Sequence, residues 1–246
     1  MVTSSDGSIN SSTTSADGLD NSSQSSCGLR IETFSDLDSW FGNTYTRSAT
    51  VSTPAELALT TSVAKEYTDA DHDDFPDTVT TRITANNKVS TLVHDVLNST
   101  NTITSPEGRS VTTSYNPTTL QTIQSQVPEL HPTDYSYRSD GKLQSVATGS
   151  RTTAYTYDAV GNLSTVTDPL SRLTNFTNYD EVGRVTRMVR SDNTIMQYGY
   201  DENGNMSLLV TPKPADNTFT YNGVNKRSAY QTHLGLTTAY IMRNVS

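Results

Sequence analysis

One cysteine, Cys27, stands alone among 246 residues, so no internal disulfide can tie this chain together. Hydrophobic residues make up only 33% of it, and the mean hydropathy is -0.55. Both are low for a fold that closes over a large apolar core. No run of about eighteen apolar residues occurs, which excludes a membrane-spanning helix. The first residues lack the basic and apolar stretches of a secretory signal, so the expectation is export by another route or a piece of a longer chain. Basic residues are outnumbered, 17 Lys and Arg against 26 Asp and Glu. The net charge of -9 argues against a general binder of nucleic acid or anionic membranes. Catalytic signatures are missing as well: there is no G-x-S-x-G and no Walker-type glycine loop. His72, His94, His131 and His233 are scattered without metal-ligand spacing. The chain reads as non-enzymatic.

What the chain has instead is Thr, Ser and Tyr, with 13 Tyr against 5 Phe. Thr and Tyr suit a pleated, half-buried surface. The tyrosines recur in a pattern. Tyr137-Arg138-Ser139-Asp140-Gly141-Lys142 is echoed by Tyr157-Asp158-Ala159-Val160-Gly161-Asn162, then by Tyr179-Asp180-Glu181-Val182-Gly183-Arg184 and Tyr200-Asp201-Glu202-Asn203-Gly204-Asn205. Tyr221-Asn222-Gly223 is a degenerate fifth copy. From 137 to 157, 179, 200 and 221 the steps are 20, 22, 21 and 21 residues. A fixed period of this length marks a repeat architecture.

Each unit reads as a hairpin. An aromatic residue two positions before the signature tyrosine shares its strand face: Tyr135, Tyr155, Tyr198 and Phe219. Asp158, Asp180 and Asp201 can accept backbone N–H bonds and close a turn. Gly141, Gly161, Gly183 and Gly204 fall where the chain needs positive φ. A second polar turn, such as Asp168-Pro169-Leu170-Ser171, lies between successive tyrosines. The aromatic doublets are expected to stack in register from unit to unit.

The fold class expected is all-β, with tandem hairpins forming a curved antiparallel sheet. Residues 1–29, rich in Ser, Thr and Asn, read as a disordered lead-in, because they carry too few apolar anchors to offset ordering entropy. Residues 30–103 read as a leading β region, with Trp40 as a buried anchor and the alternation Leu57, Leu59, Thr61, Val63 as a strand. Pro54-Ala55-Glu56-Leu57 is alternatively the start of a short helix. The repeats are expected over 104–230, where Thr118 to Pro132 reads as an irregular insertion, and 231–246 as the truncated end of the array.

The leading region holds one candidate metal loop, Asp69-Ala70-Asp71-His72-Asp73-Asp74-Phe75-Pro76-Asp77. Carboxylates at alternate positions are what Ca²⁺ takes, and Asp69, Asp71, Asp73 and Asp77 fall at positions one, three, five and nine of an EF-hand loop. Asp74 stands where that loop has Gly, and Thr80 where it has its bidentate Glu. The loop looks closer to the Asp-rich loops of thrombospondin type 3 repeats. An acidic hairpin turn between Tyr67 and Val79 is the other reading.

The motif Tyr-Asp-x-x-Gly-Asn/Arg at about twenty-one residues resembles the YD repeat of Rhs proteins, of the B and C components of bacterial Tc toxins, and of teneurins. The resemblance is specific over Tyr135 to Tyr221 and extends back to Pro106. It implies hairpins that spiral into a β-shell, which in the toxin members encloses a toxic polypeptide. It also implies a secreted or cell-surface location. The expected partners are the remaining shell or an enclosed toxin polypeptide, with surface carbohydrate as the alternative. Core-terminating, self-cleavage and variable-tip segments are not visible, and the chain is too short to close a shell. Two function classes follow: a structural shell section, or a carbohydrate-binding or adhesion module whose tyrosine strips stack on sugars. Exposure of Tyr157, Tyr179 and Tyr200 discriminates them.

Overall fold

The computed structural model describes residues 2–3, 9–213 and 215–239. Every regular element among them is a β-strand. The chain forms two compact units, Met1–Asp134 and Tyr135–Ser246, with the strand Thr133–Tyr137 running across the division.

In the first unit, strands pair antiparallel with their sequence neighbours from Ile9–Thr14 onward. The ladder continues through Ala58–Thr68, Thr78–Ala85, Lys88–Asp95, Thr100–Thr104 and Ser110–Tyr115 to Thr122–Gln126. The second unit is the same kind of meander, from Leu143–Thr148 to Thr237–Ala239. Short connections leave antiparallel pairing as the only option.

One turn recurs through both units. In it the first residue donates its N–H to the carbonyl of the fifth, and the fourth donates to the carbonyl of the first. Asp158 N to Asn162 O is 2.9 Å and Gly161 N to Asp158 O is 3.1 Å. The same pair of bonds closes Ser25–Leu29, Ser105–Arg109, Asp180–Arg184, Asp201–Asn205 and Thr232–Leu236. This is a type I turn followed by a left-handed residue, the usual three-residue hairpin connection. The fourth position therefore has φ of 93° at Gly161, 81° at Gly183 and 86° at Gly204. The register shifts by a bulge beside the turn, at Thr156/Tyr157, Asn178/Tyr179, Gly199/Tyr200 and Thr220/Tyr221. Each of those tyrosines thus sits at a kink in its strand.

Period-two alternation separates two faces. In the first unit Ile31, Val51 and Leu59 face one another in register, as do Leu92, Ile103 and Val111. Hydroxyl pairs cross the other face, with Thr50 to Thr60 at 3.2 Å and Thr102 to Thr112 at 2.9 Å. In the second unit Tyr155 opposes Val166, Phe176 opposes Met188 and Tyr198 opposes Leu209. Thr156 and Thr165 hydroxyls pair behind them at 2.6 Å. No hydrophobic core forms among the described residues: apart from Pro76, only Asp38 and Asp77 are buried.

Five expectations change. Among the described residues of 1–29, Ile9–Thr14 and Asp20–Gln24 are strands, with Ser11 opposite Gln24 and Gln24 opposite Arg30. Ladder bonding satisfies their backbone without apolar side chains. Trp40 is 36% exposed and stacks on Tyr67 with ring centroids 5.8 Å apart, because a single-layer sheet has no interior to receive it. Pro54-Ala55-Glu56-Leu57 is a turn, with Glu56 at φ 61°, not a helix. Thr118 to Pro132 is no insertion, since Thr122–Gln126 is a strand between two turns. The aromatic doublets do not form one continuous stack: Tyr155 and Tyr198 face aliphatic Val166 and Leu209 on the partner strand, whereas Phe219 faces Tyr230 and stacks on it with ring centroids 5.3 Å apart. Past residue 231 the array continues through Thr237–Ala239, and 240–246 lie outside the described residues.

Candidate functional site

The signature tyrosines are half-buried, and their hydroxyls are committed. Tyr157 donates to the Leu143 carbonyl at 2.8 Å, Tyr200 to Val185 at 3.1 Å, and Tyr221 to Met206 at 2.9 Å. Tyr179 makes the same bond to Leu163. Each acceptor lies just after the glycine turn of the preceding repeat. The kink at the bulge aims the phenol back along the sheet, where a carbonyl would otherwise face only solvent. A hydrogen bond of this kind stabilises by roughly 1 kcal/mol.

The aspartates close their own turns. Asp158 accepts from Val160 N and Asn162 N at 3.0 and 2.8 Å. Asp180 accepts from Arg184 N at 2.8 Å and Nε at 2.6 Å, and Asp201 from Asn205 N and Nδ2, both at 2.9 Å. Partial desolvation raises the Asp158 and Asp180 carboxyls, but those amide donors outweigh it and hold both below the ordinary value. At Asp201 the Asn205 side chain does most of the lowering. Asp168 repeats the device in an alternate turn, with Arg172 Nε at 2.6 Å. Tyr137 and Gly141 open the series with Arg138 in the Asp position, and Gly141 still has φ of 82°.

At three of these turns the closing residue reaches forward. Lys142 Nζ donates to the Gly161 carbonyl at 2.6 Å and lies 5.3 Å from the Tyr157 ring centre. Arg184 places its guanidinium 4.5 Å over the Tyr200 ring, and Asn205 Nδ2 bonds Asn225 Oδ1 at 3.1 Å. Successive hairpins are therefore linked in both directions. Such links position backbone; they supply no nucleophile and no free base.

The first unit holds a different cluster. Buried Asp38 accepts from Lys65 Nζ at 2.7 Å, from the Trp40 and Phe41 amides at 3.0 Å each, and from the Tyr67 hydroxyl. Lys65, then the Phe41 amide and the Tyr67 hydroxyl, hold its carboxyl far below the usual range. Desolvation, then the bond to Asp38, push Tyr67 up to about 12. Lys65 and Tyr67 lie 27 and 29 residues from Asp38. The only local sign in the sequence was an Asp placed to cap the two amides that follow it.

The acidic loop brings three of its four candidates together. Ligand atoms of Asp69, Asp71 and Asp77 lie within 4.8 Å of one another, while Asp73 falls outside the group and accepts from the Phe75 amide at 2.9 Å. Left-handed φ at His72 and Asp74 turns the chain there. Asp77 also accepts from Ala70 N at 2.6 Å. Desolvation and the charges of Asp73, Asp77 and Asp69 raise the Asp71 carboxyl. Three converging carboxylates of this kind can take a hard cation or share a proton.

The family model of the teneurin YD-shell matches residues 1–246. The chain belongs to the teneurin YD-shell family. Among solved structures, this YD-shell chain is similar to the TcdB2-TccC3-Cdc42 crystal structure, at 13% identity and a TM-score of 0.45, over 90% of this chain and 13% of that one. It is also similar to a Photorhabdus luminescens Tc holotoxin pore with a mutation in TccC3, at 13% identity and a TM-score of 0.43, over 90% and 12%. It thus spans about an eighth of the length of those chains. Among the described residues, no helix is long and apolar enough to cross a membrane.

Proposed function

We propose that this chain is a structural, non-catalytic section of a YD shell belonging to an exported toxin or cell-surface protein. In this reading the rest of the shell, or a polypeptide enclosed by it, is its partner. The observation that carries it is the commitment of the signature hydroxyls: four tyrosines in four successive repeats each donate to a backbone carbonyl of the repeat before. The most conspicuous side chains of the motif thus join hairpin to hairpin and leave their polar ends unavailable to a ligand. A sugar platform would need exposed ring faces, and Tyr157, Tyr179 and Tyr200 are half-buried.

The test uses the full-length protein encoded around this chain, purified from culture medium and from the cell-surface fraction. Limited proteolysis should leave a polypeptide outside the repeats protected until the shell is opened with denaturant. Digestion of every non-repeat segment at the same rate before and after denaturation would overturn the reading. So would recovery of the protein in the cytoplasm alone.

A further inference from the structure

A groove in the first unit lies outside the links just described. Its walls are Phe41 from the turn after Asp38, Phe75 and Pro76 from the acidic loop, Val79, Leu92 and His94 from the strands beneath, and Val96 from the turn that follows Lys88–Asp95. Phe75 is 70% exposed, Phe41 57% and Val96 45%. Two phenylalanines held open on turns expose more apolar surface than a scattered single residue would, and a rimmed patch of this kind marks an interaction site. Its backbone is well anchored. Asp38 fixes the Phe41 amide at 3.0 Å, and Asp73 fixes the Phe75 amide at 2.9 Å.

The loop that supplies Phe75 and Pro76, and so borders the groove, is acidic. Asp71, Asp73 and Asp74 are exposed in the loop that carries Phe75, and none of them forms an ion pair among the described residues. The basic residues that flank the loop in sequence are already engaged: Lys65 with Asp38 at 2.7 Å and Arg82 with Glu66 at 2.9 Å. A second copy of this chain would bring a like-charged loop against this one, and an anionic lipid surface would be repelled by it. A cationic partner gains from both rim and floor.

We propose that this groove binds a short segment of a separate polypeptide in which aromatic or aliphatic residues alternate with Lys or Arg. The apolar side chains sit between Phe41 and Phe75, and the cations lie over the Asp71–Asp74 rim. This site goes beyond the shell role, which stands whether or not the groove is occupied.

The probe is a fluorescently labelled synthetic peptide of alternating Lys and Phe, titrated into the full chain and read by anisotropy. Saturable binding is expected, weakening as salt rises because the rim charges are exposed. Phe75→Ser should weaken it about tenfold, the loss expected for one large apolar contact. A paired Asp71→Asn and Asp74→Asn variant should weaken it and flatten the salt dependence. Both changes fall on exposed side chains, and melting curves matching the parent chain confirm that the variants fold. Equal affinity for a Glu–Phe or Ser–Phe peptide would overturn the proposal, as would unchanged affinity in both variants. Self-association of the chain that Phe75→Ser abolishes would overturn it in favour of a second copy.

Discussion

The two units build the same one-layer meander from different materials. The first uses length in its middle, from Arg30 to Asp95: Ala58–Thr68 has 11 residues, Thr44–Ser52 has 9, and Arg30–Leu37, Thr78–Ala85 and Lys88–Asp95 have 8 each, while the strands from Ile9 to Gln24 and from Thr100 to Gln126 have 5 or 6. Long ladders give many backbone bonds per hairpin, and a single buried ionic knot at Asp38 ties a distant turn to the middle of the sheet. The second unit has strands of 5 to 7 residues between Leu143 and Gln231. A short isolated hairpin is marginal in water. There successive hairpins are fastened to the one before by a tyrosine and, at Lys142, Arg184 and Asn205, to the one after by a basic or amide side chain. A sheet without a core can be held by long strands or by frequent cross-links, and this chain does both in succession.

The largest expected effect separates the units at Asp38. Asp38→Ala leaves Lys65, Tyr67 and two amides without their acceptor, so amide exchange should accelerate across Arg30–Thr68 more than in any other single variant. Exchange between Leu143 and Gln231 should stay as it was. The pH dependence has a defined sign. Because the native Asp38 carboxyl is depressed, its stabilisation is present above the ordinary value of about 3.9 and is lost as pH falls below it. Tyr67 has the opposite sense. Its stabilisation is complete below about pH 10, the ordinary tyrosine value, and is lost as pH rises through the native value of about 12. Burial also raises Tyr179 and Tyr198, so tyrosinate absorbance should show a late-titrating group of tyrosines, of which the Tyr67 contribution alone moves earlier in Asp38→Ala. Equal acceleration in both units would show that the knot is not local to the first.

A smaller effect is expected in the second unit at Gly161. Its φ is 93°, and a side chain there would meet the Lys142 ammonium. Gly161→Val should cost on the order of 1–3 kcal/mol from backbone strain and break the forward link as well. Denaturant unfolding followed by exchange should place the loss in residues 143–179. An unchanged midpoint would mean the turn carries no strain.

The smallest effect is the loss of one hydroxyl. Tyr157→Phe keeps the ring and strands the Leu143 carbonyl, with a cost of roughly 1 kcal/mol. Tyr157→Phe and Tyr221→Phe act three repeats apart and should add. A variant as stable as the parent would show that solvent replaces the tyrosine without cost.

The repeat field was legible because its period, its glycines and its Asp turns are local and recur. Asp158, Gly161 and Asn162 specify one turn among themselves, so spacing alone predicts their roles. Two things were not. The turn that opens at Ser25 has the same hydrogen bonds as the one at Asp158 but no tyrosine to advertise it, so composition suggested disorder instead. The partners of Asp38 come from pairing register between strands about thirty residues apart, which no local pattern encodes. At the acidic loop, alternation suggested four ligands, whereas the left-handed residues His72 and Asp74 carry Asp73 outside the group formed by the other three.

The hydroxyls of Tyr157, Tyr179, Tyr200 and Tyr221 each point to the repeat that precedes them in the chain. As the polypeptide emerges from the ribosome, the phenol of each new hairpin meets an acceptor already synthesised. The same rule governs gene duplication. Inserting or deleting one whole unit leaves every remaining phenol opposite an equivalent carbonyl, whereas a partial insertion throws all later ones out of phase. The array can therefore lengthen or shorten by recombination only in quanta of about twenty-one residues, the unit of its repeat.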